Sequence, residues 1–207
     1  NVLNRVISHL VYTTALVTLT KYKMIIAGQL FTFAMIILIC EPTRNSAVDV
    51  PDISKFYNKS DLIWTLFTTL ETTKICKVDY VNDTTASYAD FLRVDSLNSI
   101  KHEENLRGTF IKMDTTRSSV TYNGMDVRVK DGDYESTEEL LHVFGHYKCG
   151  IFSVRLRTRI GTFLDIRVKN SEIHSANTEC QNKFQELTKG VNTSEIYHGS
   201  CQQTRSN

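Results

Sequence analysis

Cysteine thiols carry the clearest chemistry in the chain, and four of them, Cys76, Cys149, Cys180 and Cys201, follow residue 48. The fifth, Cys40, lies in an apolar N-terminal run. No two of the four have the C-x₂-C spacing of a zinc site, and no histidine lies beside them in ligand register. Their even number instead predicts two disulfides, the usual cysteine chemistry of secreted chains, for which three pairings are possible.

Catalytic and metal-binding patterns are weak. The sequence contains no G-x-S-x-G, P-loop, dinucleotide-binding or H-E-x-x-H motif, so we predict that the protein is not an enzyme and needs no cofactor. His142 and His146 lie four apart on one face of a predicted strand, but no third ligand is placed beside them, so no metal site is predicted. The acidic stretch 131–139 is predicted to be a solvated loop. Its functional alternative is a rim of carboxylates that attracts a cationic amine.

Aromatic and apolar side chains in strands are the best candidates for ligand contacts. If the strands form a barrel, the face that fills the core is also the face that contacts a bound ligand. A packed core is the alternative role for the same side chains. Trp64 is the only tryptophan, which makes its fluorescence a natural probe of binding. The candidate cavity residues are Trp64, Phe67, Phe91, Phe110, Tyr122, Phe144, Phe152 and Val154.

A series of short strands is predicted to position these side chains. Runs rich in Thr, Val, Ile, Tyr and Phe alternate with turn residues such as Asn82-Asp83 and Asp131-Gly132-Asp133. Short strands at close spacing, almost no helix and no β–α–β alternation predict an antiparallel barrel or sandwich, and an eight-stranded barrel can hold one small ligand. The predicted strands are 62–72, 74–81, 88–95, 106–114, 119–130, 139–147, 150–158 and 162–168.

One longer helix is predicted between Thr178 and Gly190. Thr178 and Gln181 have capping-box spacing, and the glycine ends the pattern. Three apolar positions recur at i, i+4 and i+7 and therefore share one face. They are Cys180, Phe184 and Leu187. Because little else is available to cover this face, we expect it to pack against the outside of the β-structure.

The N-terminal region has the layout of a secretory signal. Residues 24–40 are an apolar run that is preceded by Lys21 and Lys23 and followed by small residues at 45–47. The run is short for a membrane span of ~20 residues, and a membrane anchor is the alternative. The predicted organisation is an untranslated-leader or non-structural segment at 1–23, a signal peptide at 24–47 and one domain at 48–207.

Charge does not favour a nucleic-acid partner. The formal net charge of the whole chain is +1. Residues 48–207 contain 20 basic and 22 acidic residues, whereas nucleic-acid binders present a clustered basic face. We therefore expect no nucleic-acid binding. Because the apolar run is predicted to be removed with the signal peptide, we also expect no membrane span in the mature protein.

Three N-glycosylation acceptor sequences begin at Asn58, Asn82 and Asn192. Their number is about what the Asn, Ser and Thr content produces by chance, so it does not by itself indicate a glycoprotein. Predicted secretion is what makes glycosylation at these positions an expectation.

The C-terminal pattern Cys180-Gln-Asn-Lys-Phe184-Gln-Glu, followed by Tyr197-His-Gly-Ser-Cys201, resembles the end of the tick salivary lipocalins, the group that includes the histamine-binding proteins. The segment Asp52-Ile-Ser-Lys-Phe56 and the positions of the other two cysteines fit the same layout. The resemblance spans roughly residues 50–203. It implies a mainly β fold: an eight-stranded antiparallel lipocalin barrel with the C-terminal helix outside. The implied disulfides are Cys76–Cys201 and Cys149–Cys180.

These implied disulfides set the faces of two strands. Cys149 must point outward to meet a helix outside the barrel, which fixes the alternation of its strand. The side chains then turned inward are Phe152, Val154 and Leu156, and those turned outward are Ser153, Arg155 and Arg157. If Cys76 also points outward, Ile75, Lys77 and Asp79 turn inward. Either the interior then has a polar patch or that strand ends there.

The resemblance implies a secreted, extracellular binder of small molecules. Histamine-binding members have acidic residues just before the late-strand cysteine, whereas this chain has Gly145-His146-Tyr147-Lys148. We therefore expect a small hydrophobic ligand, sterol or fatty-acid-like, and a role as a salivary modulator of host immunity, in the manner of the cholesterol-binding japanin subgroup. One alternative is a scavenger of biogenic amines such as histamine or serotonin. Another is a barrel scaffold that binds a host immune-cell protein through its outer surface.

Overall fold

The computed structural model describes the chain over residues 50–113, 121–175 and 178–205. The segments predicted as leader and signal peptide, 1–23 and 24–47, lie outside the described residues. So do residue 114 and residues 119–120, at the ends of two predicted strands. Within the described ranges, no helix has both the length and the apolar composition needed to cross a membrane.

Eight antiparallel strands close into a barrel, which confirms the predicted fold. Each strand from β2 to β7 pairs with the next along the chain, β8 pairs with β1, and β1 pairs with β2 to complete the circle. The strands are β1 (Leu62–Thr68), β2 (Ile75–Thr84), β3 (Tyr88–Leu97), β4 (Ile100–Ile111), β5 (Gly124–Val129), β6 (Tyr134–Phe144), β7 (Cys149–Leu156) and β8 (Phe163–Lys169). A two-residue strand, β9 (Ser194–Glu195), adds to the end of β1.

Each of the eight strands overlaps a predicted one, but β4 and β6 begin about five residues earlier than predicted. β4 begins at Ile100 and runs through exposed polar residues that have no apolar alternation to reveal a strand. β6 begins at Tyr134, so most of the acidic stretch 131–139 is strand and not loop. The prediction failed there because the inward positions of this part of β6 are Ser136 and Glu138 in place of apolar residues.

Within the described ranges, two α-helices flank the barrel. The short α1 (Ile53–Phe56) starts at Asp52, whose carboxylate accepts a hydrogen bond from the Ser54 backbone N–H at 3.0 Å. The longer α2 (Thr178–Leu187) is the predicted helix, and it ends three residues before Gly190, which has a φ of +80°. One turn of 3₁₀-helix occupies Asn170–Glu172, and a longer 3₁₀-helix of seven residues occupies Gly199–Arg205.

The predicted apolar face of α2 is correct at two of its three positions. Cys180 and Phe184 are buried against the barrel, but Leu187 is exposed, and Thr188 is buried beyond the end of the helix. The Thr188 hydroxyl donates a hydrogen bond to the Phe184 carbonyl at 2.9 Å, so the last turn is closed by a polar group.

Both disulfides implied by the family resemblance are present. Cys76 is bonded to Cys201, and Cys149 is bonded to Cys180. The first attaches the C-terminal tail to the start of β2, and the second attaches α2 to the start of β7. Both bonds lie outside the barrel, so Cys149 points outward as expected.

The buried apolar side chains form two separate clusters. The inner cluster fills the barrel and consists of Ile53, Phe56, Tyr57, Ile63, Val81, Ala89, Phe91, Leu106, Phe110, Met125, Val127, Leu140, Phe152 and Val154. The outer cluster lies between the barrel wall, α2 and the tail, and consists of Trp64, Leu66, Cys76, Val78, Val94, Cys149, Ile151, Ile166, Val168, Cys180, Phe184 and Cys201. Ile151 and Phe152 are neighbours in β7 but belong to different clusters, because successive side chains of a strand point to opposite faces.

Helix α1 closes one end of the barrel. Its first residue, Ile53, donates a backbone hydrogen bond to the Tyr122 carbonyl at 2.9 Å, and the Asp52 N–H donates to the Tyr147 hydroxyl at 3.1 Å. We name this the closed end. The turns that follow β1, β3, β5 and β7 form the opposite end, which we name the open end.

Candidate ligand site

A layer of charged side chains crosses the middle of the barrel. It contains three carboxylates and three cations, so its formal charges cancel. The members are Lys77 and Asp79 from β2, Arg93 from β3, Glu138 from β6, and Asp165 and Arg167 from β8. We name this set the ionic layer. Its two members on β2 are the inward residues that an outward Cys76 predicted, so the interior does have a polar patch.

Arg93 joins two of the carboxylates. It lies directly opposite Asp79 in the register of β2 and β3. Its Nε and Nη2 donate to the two carboxylate oxygens of Asp79 at 2.7 and 2.8 Å, and Nη1 donates to Glu138 Oε1 at 2.9 Å. A guanidinium group has five N–H bonds, and these contacts use three of them.

Arg167 occupies the centre of the ionic layer. Its Nη1 contacts Glu138 Oε2 and donates to the Tyr57 hydroxyl at 2.8 Å, while Nη2 donates to Asp165 Oδ2 at 2.8 Å. The guanidinium carbon lies 4.5 Å from the ring centroid of Phe152, a cation–π distance. Arg167 therefore connects the ionic layer to the aromatic side chains of the inner cluster.

Tyr57 contacts the ionic layer from outside it, and Lys77 is its remaining cation. The Tyr57 hydroxyl, just after α1, donates to Asp79 Oδ2 at 2.9 Å, and Lys77 Nζ lies 3.2 Å from Asp165 Oδ2. The Ser136 hydroxyl adds a hydrogen bond to Glu138 Oε1 at 3.1 Å. The helix at the closed end is thus linked to the charges in the middle of the barrel.

Ion pairing keeps two of the buried carboxylates, Glu138 and Asp165, ionised. Burial alone would raise the pKa of Glu138, but the two guanidinium groups beside it hold that pKa well below its usual range. Burial also raises the pKa of Asp165, yet Lys77 and Arg167 lower it to about 2. Burial lowers the pKa of Lys77, and the Asp165 carboxylate offsets part of that shift.

Access from the open end differs between the acids and the cations. The side chains of all three carboxylates and of Arg167 are almost completely buried, whereas Lys77 is 22% exposed and Arg93 is 11% exposed. Two partly buried side chains of the inner region, Val129 at the end of β5 and Leu156 at the end of β7, lie toward the same end. Within the ionic layer, the groups accessible from the open end are therefore cations, and apolar wall residues lie toward the same end.

A further acidic residue lies on the same inward face of β3, two positions beyond Arg93. The Asp95 side chain is 11% exposed, as is that of Arg93, and its Oδ2 accepts a hydrogen bond from Lys74 Nζ at 2.8 Å. Within the part of the chain that the structure describes, its Oδ1 is buried with no hydrogen-bond partner. This oxygen is an unused acceptor near the open end.

The outer face of the sheet carries a second bidentate arginine–aspartate pair. Arg107 on β4 lies opposite Asp90 on β3 and donates to its two carboxylate oxygens at 2.7 and 2.8 Å. It borders a surface cleft of about 180 Å³, which is lined by Arg107, Thr109, Arg128, Val129, Lys130, Asp131 and Gly132. None of the eight predicted cavity residues lines this cleft.

A sequence model of the family described as "Tick histamine binding protein" matches residues 58–203, well over half of the chain. The chain belongs to this family. Among solved structures, the crystal structure of the AM182 serotonin complex is similar at 16% identity and a TM-score of 0.52, covering 72% of this chain and 90% of that one. At that identity the likeness shows a common fold alone.

Two other solved structures are similar at TM-scores too low to support an argument about ligands. Japanin from Rhipicephalus appendiculatus, bound to cholesterol, has 7% identity and a TM-score of 0.47, covering 70% of this chain and 96% of its own. The major allergen Per a 4 from cockroaches has 17% identity and a TM-score of 0.49, covering 74% and 92%. No curated protein has a sequence that matches significantly.

Five of the eight predicted cavity residues of this histamine-binding family member face the barrel interior, as predicted. Phe91, Phe110, Phe152 and Val154 belong to the inner cluster, and Tyr122 packs against it. Leu156, also predicted to face inward, packs against the same cluster. The alternation that Cys149 sets is therefore correct along β7. Their role as ligand contacts stays a prediction.

The other three predicted cavity residues, Trp64, Phe67 and Phe144, point outward, so their prediction as interior residues was wrong. Trp64 lies opposite Val168, which lies opposite the outward Cys149. Its indole N–H donates to Asn170 Oδ1 at 2.9 Å, and its ring packs edge-on against Tyr197 at a centroid distance of 5.2 Å. Trp64 therefore belongs to the contact between the barrel and the tail.

Irregularities in two strands explain the other two errors. The register of β1 shifts between Thr65 and Phe67, and the register of β6 shifts between Leu140 and His142. Each shift inserts one residue, which turns every following side chain to the opposite face. Phe67 and Phe144 both come after such a shift, and both pack against the outer cluster.

The two histidines that shared a predicted strand face do not share one. His142 lies in β6, where burial and the nearby Lys183 lower its pKa, while His146 lies in the turn beyond the strand with a φ of +57°. Among the residues that the structure describes, no group of three or more His, Cys, Asp or Glu side chains could hold a metal ion.

All three glycosylation acceptors are exposed. They differ in whether the side-chain nitrogen donates a hydrogen bond. Asn58 Nδ2 donates to the Lys55 carbonyl at 2.9 Å, whereas Asn82 and Asn192 have no such bond to any residue that the structure describes. Glycosylation of these sites stays a prediction, and the geometry favours Asn82 and Asn192 over Asn58.

The sequence prediction missed most of the ionic layer and Tyr57. An outward Cys76 predicted that Lys77 and Asp79 point into the barrel, because side chains alternate along a strand. No feature of the sequence indicated that Arg93 or Arg167 points inward. Their signal was weak because alternating charged residues in a strand are the usual mark of a solvent-facing side.

Proposed function

We propose that this protein is a secreted carrier that sequesters a small, largely apolar ligand with an anionic head, such as a fatty acid, in the open end of the barrel. Its role as a modulator of host immunity is part of this proposal and rests on the family resemblance. The observation that carries the ligand class is the orientation of the ionic layer, whose accessible members are the cations Lys77 and Arg93.

The chemistry of the open end suits such a ligand in two ways. Val129 and Leu156 offer apolar surface for a hydrocarbon body. Arg93 retains two N–H bonds beyond those it gives to carboxylates, and an anionic oxygen would form charge-assisted hydrogen bonds with them. A sterol is the second hydrophobic ligand to test, but its single hydroxyl would use less of this donor capacity.

Secretion agrees with the covalent chemistry of the fold. Two disulfides join distant parts of the chain, and such bonds persist in oxidising compartments. The exposed acceptor asparagines are also compatible with passage through a secretory pathway.

Native mass spectrometry of protein secreted from insect cells tests the proposal, followed by calorimetric titration with palmitate, cholesterol, histamine and serotonin. We expect palmitate to bind, and Lys77→Met to weaken it about tenfold or more, since a hydrogen bond to a charged group contributes roughly 1.5–3 kcal/mol. Lys101→Met is the matched control, because Lys101 is an exposed β4 lysine paired with Glu103 at 2.8 Å. Equal loss in both variants would contradict the proposed site.

If none of these small molecules binds, the scaffold reading gains support. The host-cell activity of Phe152→Ala then distinguishes the two readings, since Phe152 lies wholly inside the barrel. A carrier should lose activity in that variant, whereas a scaffold that acts through its outer surface should retain it.

A scavenger of biogenic amines is the second candidate, and one observation favours it. The unpartnered Oδ1 of Asp95 near the open end would accept a hydrogen bond from an ammonium group. Under this alternative, Asp95→Asn should abolish histamine and serotonin binding while the surface control Asp90→Asn retains it. Binding of neither amine to the unmodified protein would rule it out.

A further inference from the structure

Arg93 is the one cation of the ionic layer that both bridges two carboxylates and remains accessible from the open end. Arg167 also contacts two carboxylates, but its side chain is only 1% exposed. Lys77 is accessible but pairs with Asp165 alone. A ligand that enters from the open end therefore meets Arg93 before it could reach Asp79 or Glu138.

We propose that Arg93 is a specificity-determining residue that acts as a built-in cation: it occupies Asp79 and Glu138 and thereby excludes free organic cations from the interior. The proposal rests on the proposed function in one respect, namely that ligands enter through the open end. It assigns the choice between cationic and other ligands to one side chain.

The charge balance of the layer explains why one residue has this effect. With Arg93 in place, three carboxylates face three cations, and an incoming cation finds no uncompensated charge. Without Arg93, the layer holds one excess negative charge. A buried charge without a partner is unfavourable, so the site would then bind a small monocation from solution.

The remaining contacts identify where that cation would bind. Asp79 would keep the hydrogen bond from the Tyr57 hydroxyl but lose both hydrogen bonds from Arg93. Glu138 would keep its contacts with Arg167 and Ser136. Asp79 is therefore the carboxylate left without a cation, and the space vacated by the guanidinium group lies beside it.

Arg107 on the outer face provides a matched control. Its bidentate contact with Asp90 has the same two distances, 2.7 and 2.8 Å, as the contact of Arg93 with Asp79. Asp90 is more exposed than Asp79, however, at 16% against 3%, and Lys130 Nζ lies 3.8 Å from its Oδ2, so water and a second cation remain beside it when Arg107 is lost. Loss of Arg107 should therefore create no demand for a cation.

The experiment compares Arg93→Ala, Arg107→Ala and the unmodified protein by calorimetric titration with methylguanidinium and with histamine. We expect Arg93→Ala to bind methylguanidinium at least tenfold more tightly than the other two proteins. The double variant Arg93→Ala/Asp79→Asn should lose this gain, because it removes the excess charge. Equal affinity in all proteins, or a gain that survives Asp79→Asn, would overturn the proposal.

Two additions keep the test decisive if Arg93→Ala does not fold alone. Its refolding yield is measured in methylguanidinium and in an equal concentration of sodium, and we expect recovery in methylguanidinium only. Arg93→Lys, which restores a cation, should fold without additive and reject methylguanidinium. Equal yields in the two salts, or methylguanidinium binding by Arg93→Lys, would contradict the proposal.

Titration of the unmodified protein with palmitate separates this proposal from the proposed function. Cation binding by Arg93→Ala without palmitate binding by the unmodified protein supports the role of Arg93 and contradicts the fatty-acid carrier. Palmitate binding by the unmodified protein without cation binding by the variant supports the fatty-acid carrier and contradicts the role of Arg93.

Discussion

Two arginine–aspartate pairs on the two faces of the same sheet have the same contact geometry. Arg93 and Asp79 face the interior, and Arg107 and Asp90 face solvent, each pair directly opposed on neighbouring antiparallel strands. Both contacts are bidentate, at 2.7 and 2.8 Å. The difference is accessibility, since the Arg93 side chain is 11% exposed and the Arg107 side chain 39%.

The comparison shows that geometry alone does not set the energetic importance of an ion pair. At the surface, water replaces a lost partner, and such pairs contribute ~0–1 kcal/mol. In the interior, each ion depends on its partner for the solvation it gave up on folding, so the loss of one leaves the other uncompensated. The inner face is therefore the face on which a single charged residue can control ligand choice.

The two faces also differ in how they are held together. The inner cluster surrounds a network of charges and contains no disulfide, whereas the outer cluster contains both disulfides. The helix and tail on the outside are held to the barrel by covalent bonds in addition to the packing of side chains such as Phe184 and Ile196. The barrel interior depends on electrostatic pairing, which a substitution or a change of pH can disturb.

Removal of the outer disulfides should have the largest effect on stability. Cys76 and Cys201 are 125 residues apart and Cys149 and Cys180 are 31 apart. Chain-entropy estimates give losses of about 5 and about 4 kcal/mol for replacing each pair by alanine. Urea unfolding of the two double variants measures these losses. A larger loss for the shorter loop would show that packing of α2, and not chain entropy, dominates the outer face.

Neutral substitution of the two arginines tests the comparison directly. We expect Arg93→Met to lower the free energy of unfolding by about 3–5 kcal/mol, because it leaves a buried carboxylate unpaired. Arg107→Met should lower it by less than about 1 kcal/mol. Urea denaturation at neutral pH measures both. Similar losses in the two variants would mean that water reaches the ionic layer freely.

Acid should weaken the inner face through its carboxylates. The pKa of Asp165 in the folded protein is about 2, below its ordinary value of 3.8, because Lys77 and Arg167 outweigh the effect of burial. A depressed pKa contributes stability above the unfolded value, and that contribution is lost as pH falls from about 4 to about 2. The shift corresponds to roughly 2 kcal/mol for this group.

Urea midpoints between pH 5 and pH 2 check this prediction, and Glu138, with its pKa lowered in the same direction, should add to the slope. Asp165→Asn is the control. It should be less stable at neutral pH, since Lys77 loses its partner, but its stability should fall less steeply with acid. An unchanged slope in the variant would place the acid sensitivity elsewhere.

The strands of the barrel were predicted well because their signals are local, whereas the choice of a barrel over a sandwich came from the family resemblance. Strand-forming runs, turn residues and the C-terminal helix could be recognised one segment at a time, and Cys149 set the phase of β7 correctly. The predicted direction of the side chain was wrong for Phe67 and Phe144, because a one-residue shift in a strand cannot be recognised in the pattern of side chains.

The ionic layer could not be predicted in the same way. Arg93 and Glu138 lie on β3 and β6, which are not neighbours in the sheet and meet only across the closed barrel. A lone inward charge is unfavourable, so each residue considered by itself was more reasonably assigned to the surface. Only the complete circle of strands brings three acids and three cations within contact.

The smallest effect is expected for Trp64, whose outward position makes it a reporter of the outer face. Its ring packs against Tyr197 in the tail, and its N–H is bonded to Asn170. Ligand binding in the open end should therefore leave the wavelength of maximum emission unchanged. Reduction of the Cys76–Cys201 bond should shift that emission to longer wavelength, because release of the tail exposes the indole to water. A ligand-induced shift in oxidised protein would show instead that the two faces of the barrel are coupled.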